Sequence, residues 1–172
     1  MRVKDNKGYM SIRQIQILAL VLTICGCSMI ASLDRWPLKG SDEPRYAQVA
    51  REMLETGRYI LPHLNGKPYP DKPPLFFWLA AARGWFSADV TASAARLPAT
   101  LAGLSMVVLT FFFGRMLFGT AAGVLAGGIL FTTEEFFSCT TSARLDTLFS
   151  FWITLGLYLL YQGCVQTPPR RN

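Results

Sequence analysis

Residues 14–33, QIQILALVLTICGCSMIASL, run without one charged side chain. As a helix rising about 1.5 Å per residue, this stretch is about 30 Å long, the thickness of a bilayer's hydrocarbon core. A backbone in hydrocarbon has no water to bond, so its N–H and C=O groups must pair internally, as a helix does. Three further apolar stretches follow. The spans predicted from them are 97–114, bounded by Arg96 and Arg115, then 120–142 after the turn Phe118-Gly119-Thr120, and finally 147–163. The expected fold is an all-α membrane protein of about four transmembrane helices. Amphipathic interfacial helices lie in a long first extracytoplasmic loop, 34–96.

The charge distribution orients these spans. Residues 1–13 carry Arg2, Lys4, Lys7 and Arg13 against Asp5, so a basic N-terminus faces the cytoplasm. Four spans bring Arg115 and the tail 164–172, with Arg170 and Arg171, to the same side. The formal net charge of +6 is then a topology signal rather than a nucleic-acid footprint, and no basic-aromatic motif of a nucleic-acid binder occurs. Charged residues make up 16% of the chain, below the roughly 25% of soluble domains. A cleaved signal peptide ending near Ile24-Cys25-Gly26-Cys27 competes for the first run. The later spans, and an apolar run that continues past the cysteines, favour a helix that stays. Packing is the expected role of Cys25, Cys27, Cys139 and Cys164, since all lie in or beside apolar runs.

The only long polar stretch is 41–78, SDEPRYAQVAREMLETGRYILPHLNGKPYPDKPPLFFW, with the sole histidine and six of the ten prolines. Ser41 or Asp42 is placed to cap a helix whose first turn holds Pro44. Tyr46, Val49, Ala50, Met53 and Leu54 recur at helical spacing until Gly57. Arg45, Arg51, Glu52 and Glu55 occupy the opposite face. Asn65-Gly66 predicts a tight reversal with positive φ, and Pro62, Pro68 and Pro70 forbid a regular central strand. Asp71 is placed to cap a second helix opening with Pro73 and Pro74 and interrupted at Arg83. That helix is too short to span, so it is expected along the interface, with Trp78 and Trp85 as aromatic anchors. Glu134 and Glu135 would fall inside the third span unless that helix ends early, the slightly favoured reading.

The run DEPRYAQVAREMLETGRYILPHLNGKPYPDKPPLFFW resembles the first extracytoplasmic loop of bacterial protein-mannosyltransferase-like (family 39, GT-C type) glycosyltransferases. That group includes the lipid A 4-amino-4-deoxy-L-arabinose transferases. ARLPATLAGL, GRMLFG and SARLDTLFSFW are similar to the segments that follow, so the resemblance covers roughly residues 12–162. It implies a polytopic enzyme that takes a sugar from a polyprenyl-phosphate donor, at the outer face of the bacterial inner membrane, and gives it to lipid A or protein. Family members are much longer, so the expectation is an N-terminal portion, inactive alone. A non-enzymatic four-helix protein binding a polyprenyl phosphate or a partner subunit is the alternative.

Such a transfer needs fixed cations for the departing phosphate and, if the incoming nucleophile is a hydroxyl, a carboxylate to take its proton. Asp42 resembles the family's catalytic aspartate, hence a general base. Glu43 is expected to orient an acceptor or favour the helix N-terminus. Lys72 resembles the family's loop lysine and Arg45 is a second phosphate ligand. Asp146, in SARLD, resembles an acid of the next outer loop. Asp71, with His63, is placed to hold a divalent metal ion that the resemblance implies in some members. Each position has a structural reading too. Asp42, Asp71 and Asp146 all suit helix caps, Asp146 with Arg144 as ion-pair partner. Lys72 suits snorkelling, and His63 a hydrogen-bonded surface site.

Overall fold

A computed structural model describes residues 12–87 and 89–166. The basic ends, 1–11 and 167–172, lie outside the described residues, and with them the cytoplasmic N-terminus and most of the tail expected there.

The first helix, α1 (Ile12–Ser32), follows the uncharged run closely. Ser28 and Ser32 donate their hydroxyls to the carbonyls of Cys25 and Met29, so neither polar group is left bare in an apolar helix. Helix α2 (Asp42–Thr56) ends as its sequence requires: Gly57 adopts φ 67° and its N–H bonds the carbonyl of Met53. Its start differs from expectation. Ser41 makes no side-chain cap bond; instead the Glu43 carboxylate reaches back to the Lys39 N–H at 2.7 Å.

Strands β1 (His63–Leu64) and β2 (Lys67–Pro68) form a minimal hairpin, with Asn65 at φ 53° and Gly66 at φ 75°. Both central residues have positive φ, the turn that Asn-Gly favours. Helix α3 (Leu75–Ser87) departs from expectation twice. It begins four residues after Asp71, so Asp71 is no cap, and Pro74 supplies the carbonyl bonded by the Trp78 N–H. It also runs straight through Arg83, because one long cation whose head reaches solvent does not break a helix.

The core is the seam between α2 and α3. Tyr46, Val49, Ala50 and Met53 bury against Phe76, Phe77, Ala80 and Ala81. The Tyr46 ring meets Phe76 and Phe77 edge-on, each with centroids 5.9 Å apart. Burying each large apolar side chain contributes about 1.5–3 kcal/mol. The helix expected along the interface therefore has one face in the protein core, and Trp78 and Trp85 are exposed.

Helix α4 (Ala92–Phe118) starts five residues before the predicted span and is capped by Thr91, whose hydroxyl accepts the Ala94 N–H. It is about 40 Å long. Helix α5 (Thr120–Thr132) stops at Thr133, and α6 (Glu134–Thr140) begins anew. The third predicted span is thus two helices, and Glu134 and Glu135 sit exposed at a helix start, as the early-ending reading had it. Helix α7 (Leu145–Gln166) encloses the fourth span. Glycine sets the α4–α5 distance: a Cβ on Gly123 would lie 2.5 Å from the Phe111 carbonyl oxygen.

Among the described residues, α4 and α7 are long and apolar enough to cross a membrane. α7 leaves Phe149, Trp152, Leu157 and Leu160 bare. An exposed apolar surface of this kind belongs against lipid or other helices. Of the cysteines only Cys25 is buried; Cys27 and Cys164 face outward on their helices, and Cys139 bonds Glu135.

Candidate active site

The site is assembled by one buried ion pair. Arg96, in the first turns of α4, points back under the loop between α1 and α2. Its Nε donates to Glu43 Oε1 at 3.0 Å and its Nη2 to Oε2 at 2.8 Å, a bidentate pair with both side chains under a tenth exposed. The rest of the guanidinium is used as well. Nη1 donates to the carbonyls of Leu33 and Trp36, and Nη2 to that of Pro37. The remaining acceptor capacity of Glu43 takes the N–H groups of Lys39 and Ala143. A buried charge is tolerable only when paired and hydrogen-bonded in this way. Burial pushes the Glu43 carboxyl upward, but Arg96 and the two backbone donors outweigh it and hold the group below its ordinary range.

This clamp joins the end of α1, the start of α2, the N-terminal part of α4 and the approach to α7. It therefore decides where the neighbours of Glu43 and Ala143 stand. Asp42 precedes Glu43, and its side chain is exposed beside Arg45 at 3.4 Å. Asp146 lies three residues past Ala143, exposed in the first turn of α7 rather than capping it. The Tyr46 hydroxyl is pushed up first by burial, then by the charges of Asp42, Tyr69 and Asp146, with Arg45 acting against them.

Tyr69 brings the polar loop to the same place. Its ring packs edge-on against Phe77 at 6.5 Å, and its N–H bonds the Pro62 carbonyl at 2.7 Å. Lys72 is exposed three residues later, so its backbone lies within about 10 Å of Tyr69's. No ion pair joins Lys72 to Asp42 among the described residues.

Several expected residues have other partners. Glu43 is turned inward, its oxygens spent on protein donors, so it positions its neighbours rather than meeting an acceptor. Arg144 ion-pairs with Glu135 at 3.7 Å, not with Asp146. His63 is half-buried, its Nδ1 2.8 Å from the Leu61 carbonyl, and Asp71 is exposed in the turn before α3. No three His, Cys, Asp or Glu side chains converge on a cation position among the described residues.

Arg96, Glu52 and Tyr46 escaped the sequence reading as site-building residues. Arg96 looked like the charged edge of a span, and Tyr46 and Glu52 like ordinary members of an amphipathic helix. Only the 53-residue separation closed by the Glu43–Arg96 pair reveals the clamp.

The model of the dolichyl-phosphate-mannose-protein mannosyltransferase family matches residues 18–172. An undecaprenyl phosphate-alpha-4-amino-4-deoxy-L-arabinose arabinosyl transferase from Edwardsiella ictaluri is 33% identical over 71% of this chain and 22% of its own length. A relative of the same description from Pseudomonas fluorescens is 32% identical over 84% of this chain and 26% of its own length. Two crystal structures of ArnT from Cupriavidus metallidurans are similar in fold at 25% identity. The apo state superposes with a TM-score of 0.76 over 91% of this chain, and the undecaprenyl-phosphate-bound state with 0.78 over 90%. The chain spans about a quarter of the length of the relatives it matches.

Proposed function

Because the chain belongs to the dolichyl-phosphate-mannose-protein mannosyltransferase family, we propose that it carries the acid-bearing, phosphate-facing part of a membrane glycosyltransferase. The donor is a sugar on a polyprenyl phosphate, and the acceptor is an envelope molecule, lipid A or protein. The relatives' descriptions name undecaprenyl phosphate and an amino-arabinose, which favours a donor of that class. The protein sits in the bacterial inner membrane as a multi-pass chain, with the Asp42 face periplasmic.

One observation carries this reading: Glu43 holds both Arg96 and the Ala143 N–H, so Asp42, next to Glu43, and Asp146, three residues past Ala143, stand exposed beside one junction of α2 and α7. In the transfer, the acceptor hydroxyl oxygen bonds to the anomeric carbon of the sugar as the bond from that carbon to the lipid phosphate breaks. The phosphate departs with the electron pair. Asp42 takes the hydroxyl proton, as its exposure permits. Lys72 and Arg45 meet the phosphate as its charge grows. The Arg45–Asp42 pair is a surface i,i+3 contact worth only about 0.2–0.5 kcal/mol, so an arriving phosphate can take Arg45 from it.

Asp42→Asn in the full-length protein is the direct test, with an undecaprenyl-phosphate-linked sugar as donor. Transfer is expected to fall by about 100-fold or more, with membrane insertion unchanged by fractionation. Retained transfer would refute the base assignment, and donor binding without transfer in the parent would favour a carrier over an enzyme.

A further inference from the structure

Glu52 is a buried acid on α2 that the proposed chemistry does not use. The residue is 7% exposed, and three donors converge on its carboxylate. Oε1 accepts the Asn65 N–H at 2.6 Å and the Gln48 Nε2 at 3.0 Å, while Oε2 accepts the Gly66 N–H at 3.1 Å. Two successive N–H groups in a turn with positive φ form a small concavity suited to an anion. Here the anion is the protein's own.

The hairpin needs this contact. It has two residue pairs, His63↔Pro68 and Leu64↔Lys67, and Pro68 has no N–H to donate. A hairpin so short does not hold itself in water. Its place is set by what it touches: Glu52 at the turn, Leu64 against the core, and at the base the Tyr69 N–H on Pro62 and the Tyr69 ring on Phe77. From that base the chain runs through Pro70 and Asp71 to Lys72.

We propose that Glu52 is the positioning residue for Lys72. It pins the Asn65-Gly66 turn to α2, and the stiff proline-rich segment transmits that placement to the lysine that meets the donor phosphate. The inference rests on the phosphate-binding reading of Lys72 above. The hydrogen bonds from Gln48, Gly66 and Asn65 outweigh burial and keep the Glu52 carboxyl ionised, which suits a fixed anchor.

The test is a double-substitution cycle in the full-length protein, reading the affinity for undecaprenyl phosphate in detergent. Glu52→Gln keeps the shape but removes the charge and one acceptor, and should weaken binding about tenfold. Gly66→Ala, at a position where a Cβ meets no other atom but φ is +75°, should weaken it in the same direction without touching the core. The decisive reading is coupling: Glu52→Gln combined with Lys72→Ala should bind no more weakly than Lys72→Ala alone. A merely structural role would give losses that add. Additive losses, or unchanged binding in Glu52→Gln, overturn the proposal while leaving the Lys72 reading intact. Unchanged binding in Lys72→Ala overturns both.

Discussion

Replacing Arg96 with Met tests whether the clamp builds the site. The substitution keeps the volume of the buried stem and removes five hydrogen bonds at 2.7–3.0 Å, two of them to Glu43. It leaves a carboxylate 6% exposed with only the Lys39 and Ala143 N–H groups, and strips the carbonyls of Leu33, Trp36 and Pro37 of this donor. Removing one partner of a buried ion pair costs about 3–5 kcal/mol. For a chain of this size that corresponds to a fall in melting temperature on the order of 10 °C. Buried ion pairs can often be exchanged for apolar pairs at little cost. This one differs, because five backbone groups use it as their partner. Arg96→Met combined with Glu43→Leu should therefore not recover the loss, each dry unpaired group costing about 1–3 kcal/mol. Arg96→Lys should recover only part, since one ammonium cannot reproduce a bidentate fork and three carbonyl contacts. Melting followed by circular dichroism in detergent reads all three. Arg96→Met melting within about 2 °C of the parent, under roughly 1 kcal/mol, would refute the clamp.

Gly123→Ala should cost about 1–3 kcal/mol, because its Cβ would meet the Phe111 carbonyl oxygen and the Arg115 backbone nitrogen, forcing α4 and α5 apart; the same melting assay checks it. Acid should unfold the polar loop first. Glu43 and Glu52 both have folded-state pKa values held below the ordinary range, so their contribution is complete above the unfolded carboxylate value, about 4.3, and is lost as pH falls through the folded values. Hydrogen exchange of the Asn65, Gly66 and Ala143 amides should thus be unaffected by these groups between pH 7 and 5 and lose protection only in stronger acid. Protection lost already near pH 6 would contradict the assignment.

Much of the fold was legible because its signals are local. An uncharged run long enough to cross a bilayer is a helix wherever it lies, hence α1. Gly57 ends α2 because the chain needs a left-handed residue there, and Asn65-Gly66 reverses for the same reason. Segment ends were less legible. Arg96 beside an apolar run reads as a boundary, since a charge at a helix end and a buried charge look identical until the partner is known. The break at Thr133 was hinted at only by two glutamates that hydrocarbon would not accept. The resemblance led to the expectation of roles for Asp42, Lys72 and Asp146, but nothing in it foretold the inward turn of Glu43 or the three donors that converge on Glu52.

Composition and periodicity alone determined that this chain is helical, belongs in a membrane and concentrates its polar chemistry in one proline-rich loop. Those properties depend on solvent and on neighbours a few residues away. Which acids stay exposed and which become internal struts was decided by tertiary contact. Glu43 meets Arg96 and Ala143 across 53 and 100 residues of chain. A carboxylate's role depends on the donors that reach it, and packing at such separations sets which donors those are.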